Sequence, residues 1–227
     1  MGHLLRPDIM ESNEVPILSK PDYYYAEDRD DIALLINEGN NSILEIGCGK
    51  GNTGFILRKK NKASRLVGIE INPDMAAAAE KIFDLVICVD VEKMDLPADY
   101  GPYDYVVCGD VLEHLKDPWG ALKKMDTVLK PGGFIIASIP TLRHWRVMRD
   151  LFFKGEFTYR ESGTLDITHL RFFTKKTMGK LFADNNFQVL TIIPNTFGAK
   201  ASLVNRLTLG IFEEFLALRY LVKARKA

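Results

Sequence analysis

Apolar residues run along this chain in short unbroken stretches: Ile43-Leu44-Glu45-Ile46, Leu66-Val67-Gly68-Ile69, Leu85-Val86-Ile87-Cys88-Val89, Tyr105-Val106-Val107-Cys108 and Phe134-Ile135-Ile136-Ala137. Gly, Pro, Asn or Asp bounds each run, and the segments between them place apolar residues at helical spacing. That alternation predicts strands of a parallel sheet, buried on both faces, with helices as the crossovers. A helix over Asp28 to Asn37, with Ile32, Leu35 and Ile36 on one face and Gly39 as its stop, precedes the first strand. Asn72-Pro73 and Asp117-Pro118 each combine a capping side chain with proline at the first helical position, and Thr174 caps a helix through Ala183. Phe187 to Ile193 gives a sixth strand. Ser202 to Leu216 places Val204, Leu207, Ile211, Phe212 and Phe215 on one helical face. Residues 1–26, rich in proline and without a period, read as an arm, and 27–227 as one domain.

The first strand runs into Gly47-Cys48-Gly49-Lys50-Gly51, a turn with glycine at alternate positions that leads into a helix. Such a turn brings backbone N–H groups and a helix N-terminus against a ligand at the carboxyl edge of the sheet. Its spacing is G-x-G-x-G, with Asn52 where the dinucleotide fingerprint requires a third glycine, and this weakens a nicotinamide or flavin reading. Glu70, at the end of the second strand, occupies the place where doubly wound folds hold an acid to ribose hydroxyls. Asp90 ends the third strand in the same way, and Glu92 stands close enough to share its task.

Glu45 to Gly51 resembles motif I of the class I S-adenosylmethionine-dependent methyltransferases, [DE]-x-G-x-G-x-G. Tyr103 to Gly133, with its Asp110-Val111-Leu112-Glu113-His114-Leu115 core, is similar to the fourth-strand segment of the small-molecule branch, and His169-Leu170-Arg171-Phe172-Phe173-Thr174 resembles a signature of methyltransferases of sugar, O-antigen and natural-product pathways. The resemblance implies an α/β, Rossmann-like seven-stranded sheet in the order 3-2-1-4-5-7-6. Leu218 to Lys226, similar to the family's final strand, would be the antiparallel seventh. It implies S-adenosylmethionine as cofactor, held by Glu45, Gly47, Gly49, Gly51, Glu70, Ile71, Asp90, Val91 and Asp110. It also implies a cap over the methyl acceptor at about residues 141–173. Arg143, His144 and Arg171 in the cap, with Tyr24 and Arg29 from the N-terminal helix region, are the candidate acceptor contacts. A sugar nucleotide or another anionic, glycan-like molecule suits those arginines.

Methyl transfer to a hydroxyl also needs a proton acceptor, and histidine is the natural one near neutrality. His169 and His114 are the candidates, each with a structural alternative: helix entry for His114, a bond to a backbone carbonyl for His169. Trp145 to Phe153 reads as an amphipathic lid over the acceptor or as a membrane-docking face. Lys+Arg and Asp+Glu both number 30, so no global basic field invites nucleic acid. Cys48, Cys88 and Cys108 form no C-x-x-C pair, and no metal is expected. With no membrane-length apolar run and no leader pattern, a cytoplasmic location is the expectation. A nicotinamide-dependent oxidoreductase and a non-catalytic S-adenosylmethionine-binding partner protein stand as the rival functions.

Overall fold

The computed structural model describes residues 29–96, 101–195 and 199–227. The N-terminal arm and Tyr24 lie outside the described residues. A short helix α1 (Asp30–Leu34) leads to β1 (Ser42–Ile46), α2 (Asn52–Lys59), β2 (Arg65–Glu70), α3 (Pro73–Ala79), β3 (Leu85–Cys88) and β4 (Tyr103–Gly109). A 3-10 turn (Leu112–His114), α4 (Pro118–Val128) and β5 (Leu129–Pro140) follow. The cap then contains α5 (Trp145–Arg149) and a π-helical turn (Asp150–Lys154). The chain closes with α6 (Lys175–Ala183), β6 (Phe187–Asn195), α7 (Ala199–Leu207), α8 (Glu213–Leu216) and β7 (Arg219–Lys226).

The seven strands form one sheet in the order β3-β2-β1-β4-β5-β7-β6. β1 to β5 pair in parallel, and β7 runs antiparallel between β5 and β6, with Ile139 opposite Tyr220 and Ile192 opposite Val222. Successive residues of a strand face opposite sides of the sheet, so Ile43 and Leu44 enter two different cores. Ile43 packs with Ile32, Leu57, Leu66 and Phe83, whereas Leu44 packs with Val67, Val106, Leu122 and Met125. Helices cover both faces, which is why these strands read as continuous apolar runs.

The caps form as their side chains dictate. Asn72 accepts from the amides of Asp74 and Met75, Asp117 from that of Gly120, and Thr174 from that of Thr177 in a reciprocal capping box. The predicted single face over Ser202 to Leu216 is instead two helices, parted where Leu209 and Gly210 take positive φ (50° and 82°). Gly210 ends the helical path because glycine alone enters that region without penalty. Val204, Leu207, Ile211 and Phe212 are consequently left exposed.

Candidate active site

The glycine turn is built for close approach. Gly47, Gly49 and Gly51 all have positive φ, and a Cβ on Gly47 would lie 2.6 Å from Val111 Cγ2. The amides of Gly47 and Cys48 donate back to Ile69 O (2.7 and 3.1 Å), which folds the turn over the end of β2. Gly68, opposite Glu45 in the sheet, permits this, since a Cβ there would meet Cys48 Sγ at 2.7 Å. Glu70 joins the turn to the next helix: Oε2 accepts from Gly49 N (2.8 Å) and Oε1 from Asn72 N (2.9 Å). Each oxygen keeps a second lone pair. Ile71 beside it is exposed.

Glu45 lies beneath the turn, fully buried, with one carboxyl oxygen lacking any hydrogen bond. Burial raises its pKa to about 8 against the opposing pull of the Thr53 hydroxyl and Arg29. The unfolded group, near 4.5, loses its proton first, so between those values the folded chain binds more protons and stability falls as pH rises. Unfolding in urea is expected to show this group removing about 2 kcal/mol between pH 6 and pH 8, a slope that Glu45→Gln abolishes. Equal slopes in both proteins would refute the assignment.

On the neighbouring strand, Asp90 accepts from Glu92 N (2.9 Å) and pairs with Lys93 (3.5 Å), while Val91 is buried. The two oxygens of Glu92 accept from the amides of Lys116 (3.1 Å) and Asp117 (2.8 Å), which ties it to the start of α4. Lys124 donates to the carbonyls of Glu92 (2.9 Å) and Met94 (2.8 Å) from the other side. The loop after β3 is thereby fixed onto α4, a role for Lys124 that no pattern in the sequence announces.

Asp110 follows β4 with φ 55° and collects three partners: Arg29 Nη1 at 2.6 Å and Arg219 Nη1 at 3.0 Å on one oxygen, Ser138 Oγ at 2.9 Å on the other. Burial favours the neutral acid, but the two guanidiniums outweigh it and hold the carboxyl below its ordinary pKa. Arg29, an expected acceptor contact, is buried, with Nη1 on Asp110, Nε on Asp31 and Nη2 without a hydrogen bond.

The two candidate histidines do come together. His114 and His169, 55 positions apart in sequence, have ring centroids 4.7 Å apart at 76°. The backbone joins their segments, since Leu170 N and Arg171 N both donate to Glu113 O (2.8 and 2.9 Å). His114 Nδ1 meets Thr168 O at 3.2 Å and His169 Nδ1 meets Thr164 O at 3.0 Å. A carbonyl only accepts, so both Nδ1 atoms carry the proton and both Nε2 atoms hold a lone pair. Burial, and then the neighbouring His169, lower the His114 pKa to about 4. Beside them Glu113 is fully buried with neither carboxyl oxygen hydrogen-bonded, and burial followed by Asp110 raises its pKa well above the usual range. Sequence reasoning passed over Glu113.

The remaining cap residues are largely engaged. Arg143 pairs with Glu214 and lies 4.8 Å from the Phe215 ring centroid. Arg171 donates twice to Lys116 O and lies 5.9 Å from the Trp119 ring centroid. His144 is buried at the start of α5, where burial and then Arg146 bring its pKa to about 4. It lines a cleft of about 200 Å³ with Arg146, Asp150, Arg160 and Thr164. Phe152 and Phe153, read from sequence as part of a lid or docking face, are 79% and 85% exposed. Among the described residues no helix is long and apolar enough to cross a membrane.

The family profile of a methyltransferase domain matches residues 18–192. The demethylmenaquinone methyltransferase of Staphylococcus aureus is 29% identical over 161 residues, which take in 68% of this chain and 59% of that protein; the chain thus spans little more than half the length of such relatives. Solved S-adenosylmethionine-dependent methyltransferases from Archaeoglobus fulgidus (TM-score 0.63, 18% identity, covering 90% of this chain and 100% of that one) and Thermotoga maritima (TM-score 0.64, 18% identity, 90% of each) share the fold. With the seven-stranded order and the glycine turn above, these matches place the chain in the family of S-adenosylmethionine-dependent methyltransferases.

Proposed function

We propose that this chain transfers the methyl group of S-adenosylmethionine to a small-molecule acceptor, and that the accepting atom is a hydroxyl oxygen set against the Glu113, His114 and His169 cluster. The observation that carries the reading is the contact between two groups of residues: Val111, at the start of the segment that carries Glu113 and His114, lies against the glycine turn at Gly47. A glycine turn with an orphaned buried carboxyl oxygen on Glu45 and spare lone pairs on Glu70 fits an adenosyl amino acid, and the His114 and His169 imidazoles are groups that can take a hydroxyl proton. When bound, the cofactor supplies an electrophilic methyl on a positively charged sulfur. The protein supplies position and a dry surrounding. Glu45 would hold the amino-acid end, Glu70 the ribose, and Asp90 with the Val91 amide the adenine, while the turn, free of Cβ atoms, would let the cofactor come close. The acceptor hydroxyl would give its proton to an imidazole of the cluster, and its oxygen would be placed for the methyl carbon as the thioether leaves.

Phe157, Tyr159 and Phe172 form a mutually packed aromatic group with centroids 5.5 to 6.1 Å apart, and Phe172 also lies 6.5 Å from His169. A planar, phenol-like or quinol-like acceptor suits this wall better than the anionic glycan suggested by the sequence, because Arg143 and Arg171 already have partners. Calorimetric titration with S-adenosylhomocysteine and NAD in parallel, followed by incubation of S-adenosylmethionine with a panel of phenols, quinols and sugars, tests the reading. Binding of S-adenosylhomocysteine alone and its release in the presence of a phenol or quinol is the expected result. Binding of NAD alone would refute it in favour of the oxidoreductase.

A further inference from the structure

We propose that Glu113, His114 and His169 form a binding site for a divalent transition-metal ion of the zinc class, which holds the acceptor oxygen. One ligand atom from each residue lies within 4.8 Å of those of the other two, and among the described residues no other group of His, Cys, Asp and Glu is so placed. Three features distinguish the cluster from a packing accident.

The first is the tautomeric state of the imidazoles. Thr168 O and Thr164 O fix the proton of each ring on Nδ1, and a backbone carbonyl on the far nitrogen is the partner that orients metal-binding histidines and raises their basicity. The second is Glu113. Its carboxyl group is fully buried and has no hydrogen bond to either oxygen, although buried polar groups nearly always find a partner. A cation is the partner that would satisfy it. The third is coordination number: two imidazoles and one carboxylate leave at least one position open, as catalytic zinc sites and other two-histidine, one-carboxylate sites do. Nitrogen ligands favour zinc, iron or nickel over magnesium or calcium.

The site needs a modest contraction. Bonds of about 2.1 Å in a tetrahedral arrangement put ligand atoms about 3.4 Å apart, so the side chains must draw in by roughly 1 Å. That movement falls on the side-chain torsions of Glu113, His114 and His169. His114 is half-buried, and this gives the ion and the acceptor a way in. Asp110, anchored between Arg29 and Arg219, stays in the surrounding shell.

The inference rests on the methyltransferase reading for its role, though its test does not. An acceptor hydroxyl in the open position would have its pKa lowered by the ion and release its proton to water, leaving an oxygen lone pair for the methyl carbon. With both Nε2 lone pairs on the ion, water takes the proton that an imidazole would take in the metal-free chain.

The chelator-stripped full chain should be titrated with Co(II) alone, following its visible ligand-field absorption, and dialysed against Zn(II) alone to obtain the stoichiometry. One ion per chain is expected, with an intense tetrahedral-type Co(II) spectrum. Glu113→Gln and His169→Asn should each weaken binding by at least about 10-fold, while Cys88→Ser, which removes the exposed thiol, should leave it unchanged. S-adenosylhomocysteine binding, measured on the same stripped proteins, should persist in all of them. Absence of a stoichiometric ion in the wild-type chain, or equal affinity in both ligand variants, overturns the metal site. Intact S-adenosylhomocysteine binding with no metal binding removes the ion alone; loss of both removes the methyltransferase reading as well.

Discussion

Glu70→Ala is expected to weaken S-adenosylhomocysteine binding about 100-fold in calorimetric titration, a loss of roughly 2.7 kcal/mol. The carboxylate uses one lone pair on each oxygen for the amides of Gly49 and Asn72, and in the proposed site the second pair on each receives a ribose hydroxyl. Hydrogen bonds to a charged acceptor contribute about 1.5 to 3 kcal/mol each. The substitution also releases the Gly49 amide, so the turn loses the shape that approaches the cofactor. Glu70→Gln keeps the outline and one acceptor oxygen, and an intermediate loss of about 10-fold is expected for it. A change of less than about threefold in the alanine variant would remove Glu70 from the cofactor site.

The second large effect is on stability. Asp110→Ala should lower the unfolding free energy by about 3 kcal/mol, at the lower end of the range for breaking a buried ion pair because part of the carboxylate still meets solvent. The cost arises less from the lost bonds than from what they leave: two mostly buried guanidiniums, Arg29 and Arg219, would lose the Asp110 charge between them, with the Asp31 carboxylate left on the Arg29 side. Replacing Arg219 by methionine in the Asp110→Ala background should therefore recover part of the loss. Urea unfolding of the two variants beside the wild type decides the matter; if Asp110→Ala unfolds at the wild-type midpoint, the ion cluster is not a structural one.

The frame of the molecule was legible because burial on both faces writes itself as unbroken apolar runs, and because caps such as Asn72, Asp117 and Thr174 are local chemistry. Strand order followed from family resemblance, and the pairings match it. What the sequence hid was contact between distant segments. Glu92 stood out only as a neighbour of Asp90 able to share its task, and in the folded chain its oxygens close on amides 24 and 25 positions further along. Arg143 and Arg171 looked like a cationic surface for an acceptor, and each found a partner that only the folded chain brings near. The absence of C-x-x-C motifs argued against a metal, whereas the cluster that could hold one draws its third member from the cap. Gly210 was a visible stop signal that the apolar spacing of residues 202–216 overrode in the reading.

Arg219 opens β7, which follows the other described strands in the chain, and yet its guanidinium sits on Asp110 at the end of β4. The glycine turn, Glu70 and Asp90 all fall before residue 91. Asp110, by contrast, gains its second counter-charge only when β7 has been made, and a domain that folds as a unit closes this ion cluster together with the sheet, not ahead of it.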